Sequence, residues 1–136
     1  MKVLFLSDNY VPEVTPPAVR TAQHAKYFGE LGCDVTVITS VPNFPYGTPY
    51  AGFNNKLIQS ESINGVKVIR IWTFMAENSG FFLRITDYLS YMFSSIFFGV
   101  VLRREFDVII ATSPQFFTLL SGFILSKLKR TKFIIE

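Results

Sequence analysis

The sequence predicts an α/β fold: a doubly wound, mainly parallel sheet carrying a β-hairpin insertion. Three observations point to it. Short apolar runs at 3–6, 35–39, 107–111 and 132–135 each have the length of one strand buried on both faces. Helical periods separate them, and strand–helix–strand alternation specifies a parallel sheet with right-handed crossovers. Finally, 49% of the 136 residues are hydrophobic and 16% aromatic. Only 17% are charged, against about 25% in an ordinary soluble domain. That composition excludes a disordered or collagen-like chain, and the length fits one domain.

Val3-Leu4-Phe5-Leu6 reads as the first strand, ending in the polar Ser7-Asp8-Asn9. Thr15-Pro16-Pro17 opens a helix, with Thr15 as N-cap and proline in the first turn. Ala18, Ala22, Ala25 and Phe28 form its apolar stripe, and Gly32 stops it. Val35–Thr39 is almost wholly β-branched, a second strand. Residues 40–56 hold three prolines and two glycines with Phe44, Tyr46, Tyr50 and Phe53. That is a long, structured loop, and loops of this length commonly carry function. Asn64-Gly65 between 56–63 and 66–72 marks a hairpin. Apolar positions recur at helical spacing over 81–104. A strand at 107–111, a helix over 115–129 and a strand at 132–135 complete the order β-α-β-(ββ)-α-β-α-β.

Two uncharged runs need testing as membrane spans. Residues 88–102 number fifteen, short of the roughly twenty that a spanning helix needs. Residues 108–126 number nineteen, but Thr112-Ser113-Pro114 interrupts them, so the run reads as strand, turn and helix. Only four apolar residues follow Lys2 before Ser7, which is no secretory signal. The expected setting is therefore cytoplasmic.

Much chemistry is disfavoured. The first turn, Ser7 to Arg20, contains no glycine, whereas a dinucleotide fingerprint needs several, so NAD and FAD are not expected. His24 is the only histidine and Cys33 the only thiol, so no disulfide framework, metal cluster or nucleophile triad assembles, and no metal or cofactor is expected. His24 reads as a surface residue and Cys33 as packing. No interleaved base-stacking motif points to nucleic acid.

In a doubly wound sheet the loops after the strands converge on one crevice. Those loops offer Asn9, Pro12, Glu13 and Thr15, then Asn43, Pro45 and Tyr46, then Thr112, Ser113 and Gln115 as its wall. Asp8 and Glu13 suit contacts to sugar hydroxyls, or else turns and caps. Thr112-Ser113-Pro114 suits the cap of the following helix. Arg20, one turn into its helix, is the candidate for an anion or phosphate. The net charge of +3 is uneven: residues 1–77 carry six Lys/Arg and six Asp/Glu, residues 78–136 seven and four. The later cations are Arg103 and Arg104, ending the long helix, and Lys127, Lys129, Arg130 and Lys132 around the last one. They suit helix C-termini through the dipole, or a patch for an anionic membrane surface.

The motifs S-D-N-Y-x-P-E (7–13), P-A-x-R-T (17–21) and L-G-x-D-V-T-V-I-T (31–39) resemble the start of family 4 glycosyltransferases of the GT-B fold. More specific are P-N-F-P-x-G (42–47), I-N-G-V-K-V-I-R-I-W-T (63–73), R-x-x-D-Y-L-S-Y-M-F-S (84–94) and A-T-S-P-Q-F-F (111–117). These resemble the subgroup of L-fucosamine and colanic-acid-type transferases in bacterial surface polysaccharide synthesis. Thr15-Pro16-Pro17 replaces a frequent Gly-Gly pair, and Gly32-Cys33 a frequent Gly-His. The family's C-terminal domain, with its Glu-x7-Glu signature, is not in this sequence, which stops just after the strand at 132–135 and reads as an excised domain.

The resemblance implies that 1–136 is a Rossmann-like, acceptor-side N-terminal domain, one half of a GT-B architecture. The implied enzyme is retaining and metal-independent. Its donor is a nucleoside-diphosphate sugar, held mainly by the other domain, and its acceptor a polyprenyl-diphosphate-linked saccharide. Its place is the inner face of the cytoplasmic membrane. The loops above would then face the acceptor, Arg20 the donor phosphate, and the later cations the membrane. A non-catalytic, membrane-associated α/β binding module is the alternative, and the fragment alone is expected to be inactive.

Overall fold

The computed structural model describes residues 1–77 and 79–136. Its elements follow the predicted order: β1 (Lys2–Leu6), α1 (Pro16–Glu30), β2 (Asp34–Thr39), β3 (Ile58–Ile63), β4 (Val66–Ile71), α2 (Phe81–Val101), β5 (Val108–Ala111), α3 (Phe116–Lys129) and β6 (Lys132–Ile135). They form one six-stranded sheet in the order β3-β4-β2-β1-β5-β6. Every pairing is parallel except β3 with β4, the hairpin turning at Asn64-Gly65.

Strand alternation sends successive side chains to opposite faces. Val3, Phe5, Val35, Val37, Val68 and Ile110 face one way, where Ala25, Ala22 and Phe28 of α1 cover them. Leu4, Leu6, Ile38, Ile69 and Ile109 face the other, against Tyr91 of α2 and Leu125 of α3. A helix on one face and two on the other make the sheet doubly wound. The chain leaves β1 towards β2 and β4, then returns through α2 to β5 on the other side of β1. The β1–β5 pair is therefore the switch point, where open α/β sheets place their ligand crevice beyond the strand carboxyl ends.

Strand ends shift by a residue at β1, β2, β4 and β5, and larger differences lie elsewhere. Helix α2 ends at Val101 with Leu102 as its cap, so Arg103 and Arg104 lie beyond the helix rather than in it. The cap of α3 is Gln115, whose side chain accepts from the Thr118 amide, and not Thr112-Ser113-Pro114. An amide side chain reaches N3 from the position next to the helix, and Thr112 is too far back along the chain. The hairpin strand β3 begins at Ile58, two residues after Lys56. The Thr15 cap stands as expected, accepting from the Ala18 amide.

Candidate functional site

The loops following β1, β2, β4 and β5 gather at the carboxyl end of the sheet, where α1, α2 and α3 also begin. They enclose a cleft of about 950 Å³. Asp8, Asn9, Asn43 and Gln115 supply its polar floor. Phe44, Pro45 and Tyr50 come from the long loop, Phe81, Arg84, Ile85, Asp87 and Tyr88 from α2, and Phe116 and Phe117 from α3.

Buried polar side chains hold these loops in place. Glu13 is 1% exposed, and its carboxylate accepts from the amides of Asn43 (2.8 Å) and Phe44 (2.9 Å) and from Asn9 Nδ2 (2.9 Å). It thereby ties the first loop to the second. Arg70, at the carboxyl end of β4 and equally buried, donates to Glu61 Oε1 (2.6 Å), the Ser40 carbonyl (3.1 Å) and the Val11 carbonyl (2.6 Å). The Phe53 ring lies 5.0 Å from its guanidinium carbon. Gly47 has φ +69, and a Cβ there would stand 2.3 Å from the Ala76 carbonyl carbon. Glycine is what lets the long loop close onto the segment after β4.

Asp8 accepts a hydrogen bond from Gln115 Nε2 at 2.8 Å, bridging the switch point. Burial, reinforced by the Asp87 and Glu13 carboxylates, holds its carboxyl well above the ordinary carboxylate range. Asp87 faces the same cleft from α2, and burial followed by the Glu13 charge raises it from 3.8 to about 7. A carboxyl titrating near neutrality exchanges a proton at working pH and accepts hydrogen bonds from hydroxyls when ionised.

Of the residues expected here, Asn9, Thr15, Asn43, Pro45 and Gln115 line the cleft. Glu13 stands behind the lining as a clamp between loops. Thr112 is buried with its hydroxyl 3.0 Å from that of Thr21, and the Ser113 carbonyl accepts from Arg20 Nη2 at 2.7 Å. Pro12 and Tyr46 point to solvent outside the lining. Arg20 also lies outside it: its guanidinium ties α1 to the loop after β5 and approaches Glu136, which also bonds His24. Among the described residues, the cation that lines the cleft is Arg84.

Sequence reasoning missed the α2 contribution (Phe81, Arg84, Asp87, Tyr88), because the parallel pairing of β4 with β2 is not marked in the sequence. Position on the sheet makes the loop after β4 a crevice loop like the others, and R-x-x-D-Y stands at its exit. The basic residues 103–132 lie at the opposite end of the sheet. Arg104 pairs with Asp34, while Lys129 donates to the Arg104 carbonyl, and both lie 5.8 Å from the Phe106 ring centroid. Arg103, Lys127, Arg130 and Lys132 are exposed.

Two solved structures are similar in fold. Sucrose-phosphate synthase from Thermosynechococcus elongatus aligns over 98% of this chain with a TM-score of 0.66 at 10% identity. The catalytic domain of starch synthase IV from Arabidopsis thaliana, bound to ADP and acarbose, aligns over 98% with a TM-score of 0.67 at 12% identity. The fold is that of a GT-B glycosyltransferase domain. The chain spans about a third of each, 32% of either length. No family profile and no curated protein matches the sequence. Among the described residues, no helix is long and apolar enough to cross a membrane.

Proposed function

We propose that this chain is the N-terminal, acceptor-side domain of a retaining, metal-independent glycosyltransferase. The observation that carries this reading is the cleft at the β1–β5 switch point, with a floor of carboxyl and amide side chains suited to sugar hydroxyls. Fold likeness adds an analogy: one neighbour was solved with a nucleotide and an oligosaccharide bound. The donor is a nucleoside-diphosphate sugar held largely by a second domain. The acceptor is a polyprenyl-diphosphate-linked saccharide, and the product belongs to a bacterial surface polysaccharide, with an N-acetylated deoxyhexosamine such as L-fucosamine as the transferred sugar.

In the transfer, an acceptor hydroxyl oxygen bonds to the donor's anomeric carbon as the bond to the diphosphate oxygen breaks, and the hydroxyl proton passes to that departing oxygen. Helix N-termini and basic side chains stabilise the departing diphosphate. Asp8, Asn9, Asn43 and Gln115 orient the acceptor saccharide, and Arg20 keeps the β5–α3 loop in register beside them. The enzyme works at the cytoplasmic membrane face. Assay of 1–136 alone and of the same chain joined to a donor-binding domain tests the reading. Transfer by the joined protein only is expected, and turnover by 1–136 alone contradicts it.

A further inference from the structure

Helix α2 keeps its small side chains inside and its large ones outside. Its buried residues are Tyr91, Met92, Ser95 and Gly99. Gly99 lies so close to α3 that a Cβ there would stand 2.6 Å from Leu125 Cδ2. The opposite side carries Phe82, Phe93 and Phe97, which are 81%, 64% and 60% exposed. Their spacing and that of Val100 place them on one stripe along the helix, with Leu89 and Ile96 half-buried beside them. No charged residue occurs from Tyr88 to Leu102. At about 200 Å² per ring, the three phenylalanines leave roughly 400 Å² of aromatic surface in water. Exposed Leu83, Val100 and Val101 bring the patch to on the order of 700 Å², close to the ~800 Å² that each partner gives to a standard interface. Contiguous apolar patches above a few hundred Å² mark interaction surfaces.

We propose that the chain pairs with a second copy of itself through this stripe, α2 against α2 about a two-fold axis. A two-fold interface sets the same patch against itself, so any charge near its centre meets its like. A stripe free of charge and rich in phenylalanine meets that condition, and it has the composition of an interface core. A membrane surface fits less well. A helix that lies in one opposes its apolar face with a strongly charged face. The other side of α2 packs on the sheet and on α3, and Arg84 and Asp87 are the only charged residues in the helix. Nor does a domain closing over the cleft cover the stripe. The cleft lies at the first turns of α2, and the helix runs on from there for about 30 Å.

Sedimentation velocity of the 136-residue chain at micromolar concentration tests the pairing. A species of twice the 15.5 kDa chain mass is expected. Phe97→Glu and Phe93→Ser, at exposed positions, should each keep the circular dichroism and thermal melt of the parent. Each is expected to weaken the dimer about thirtyfold or more. Tyr27→Glu, exposed on α1 across the sheet, is expected to leave the dimer intact. Joining the chain to a donor-binding domain should also leave it intact. A chain that stays monomeric overturns the proposal, as does a dimer indifferent to both stripe variants or one that Tyr27→Glu dissolves equally. Loss of the dimer in the joined protein would give the stripe to that domain. A monomer that sediments with phosphatidylglycerol vesicles in a Phe97-dependent way would give it to lipid. Either result overturns the pairing, and none of them touches the acceptor reading, whose residues lie in the cleft.

Discussion

At the carboxyl end of the sheet, Glu13 and Arg70 are each 1% exposed and join the loops after β1 and β2 to each other and to β4 through hydrogen bonds to backbone groups. At the amino end, Arg104 and Asp34 pair with side chains 30% and 54% exposed, in reach of water and salt. The same strands run between the two ends, so the difference lies in what the loops must do. Loops that enclose a cleft need a set position, and buried, fully bonded polar groups supply it because every lost partner is costly. At the amino end the corresponding ties come from half-buried side chains, Lys129 to the Arg104 carbonyl and the Thr131 hydroxyl to the Phe106 carbonyl.

Breaking the clamps should show this difference in stability. Arg70→Met removes a buried guanidinium and leaves two carbonyls without their donor. It is expected to cost about 3 kcal/mol in urea unfolding. Gly47→Ala drives a methyl group into the Ala76 backbone at a positive φ, with an expected loss of about 1–3 kcal/mol. It should also disturb amide shifts at Asn43 and Phe44. Glu13→Gln retains the shape but gives up the charge that two amides bond, for about 1–2 kcal/mol. Asp34→Asn, at the other end, is expected to stay within about 0.5 kcal/mol. If the two ends respond alike, the contrast is wrong.

Titration sharpens the comparison. The Asp87 carboxyl is raised in the folded chain from 3.8 to about 7, so the folded state holds a proton that the unfolded state releases. Its contribution to stability is complete below pH 4 and is lost as pH rises towards 7. Asp8 shifts in the same direction. Asp87→Asn should flatten the decline in stability between pH 4 and 7. An unchanged pH profile would show that Asp87 is solvated.

The architecture was legible because each element carried its own local signal. Asn64-Gly65 marked the hairpin, Thr15-Pro16 the start of α1 and Thr112-Ser113-Pro114 the break between β5 and α3. The cleft was legible only in part. Asn9, Asn43 and Gln115 follow strands whose apolar runs are plain, so the switch-point rule reached them. Arg84 and Asp87 follow β4, which reads first as the second arm of a hairpin, and nothing local shows that this arm pairs in parallel with β2. The clamp roles of Glu13 and Arg70 were illegible for another reason: their backbone partners lie 30 to 59 residues away, and a sequence pattern records no such bonds. Arg20 had the charge and position for a phosphate ligand, yet its place in α1 turns it towards Ser113 and Glu136.

The central claim is that the carboxyl-end cleft receives the acceptor. Phe116 lines it and is 65% exposed, so Phe116→Ser alters the wall with little effect on folding. In a protein that joins this chain to a donor-binding domain, the proposed function predicts that the variant raises the acceptor KM several-fold while the donor KM stays constant. A rise in the donor KM with the acceptor KM unchanged would contradict the account.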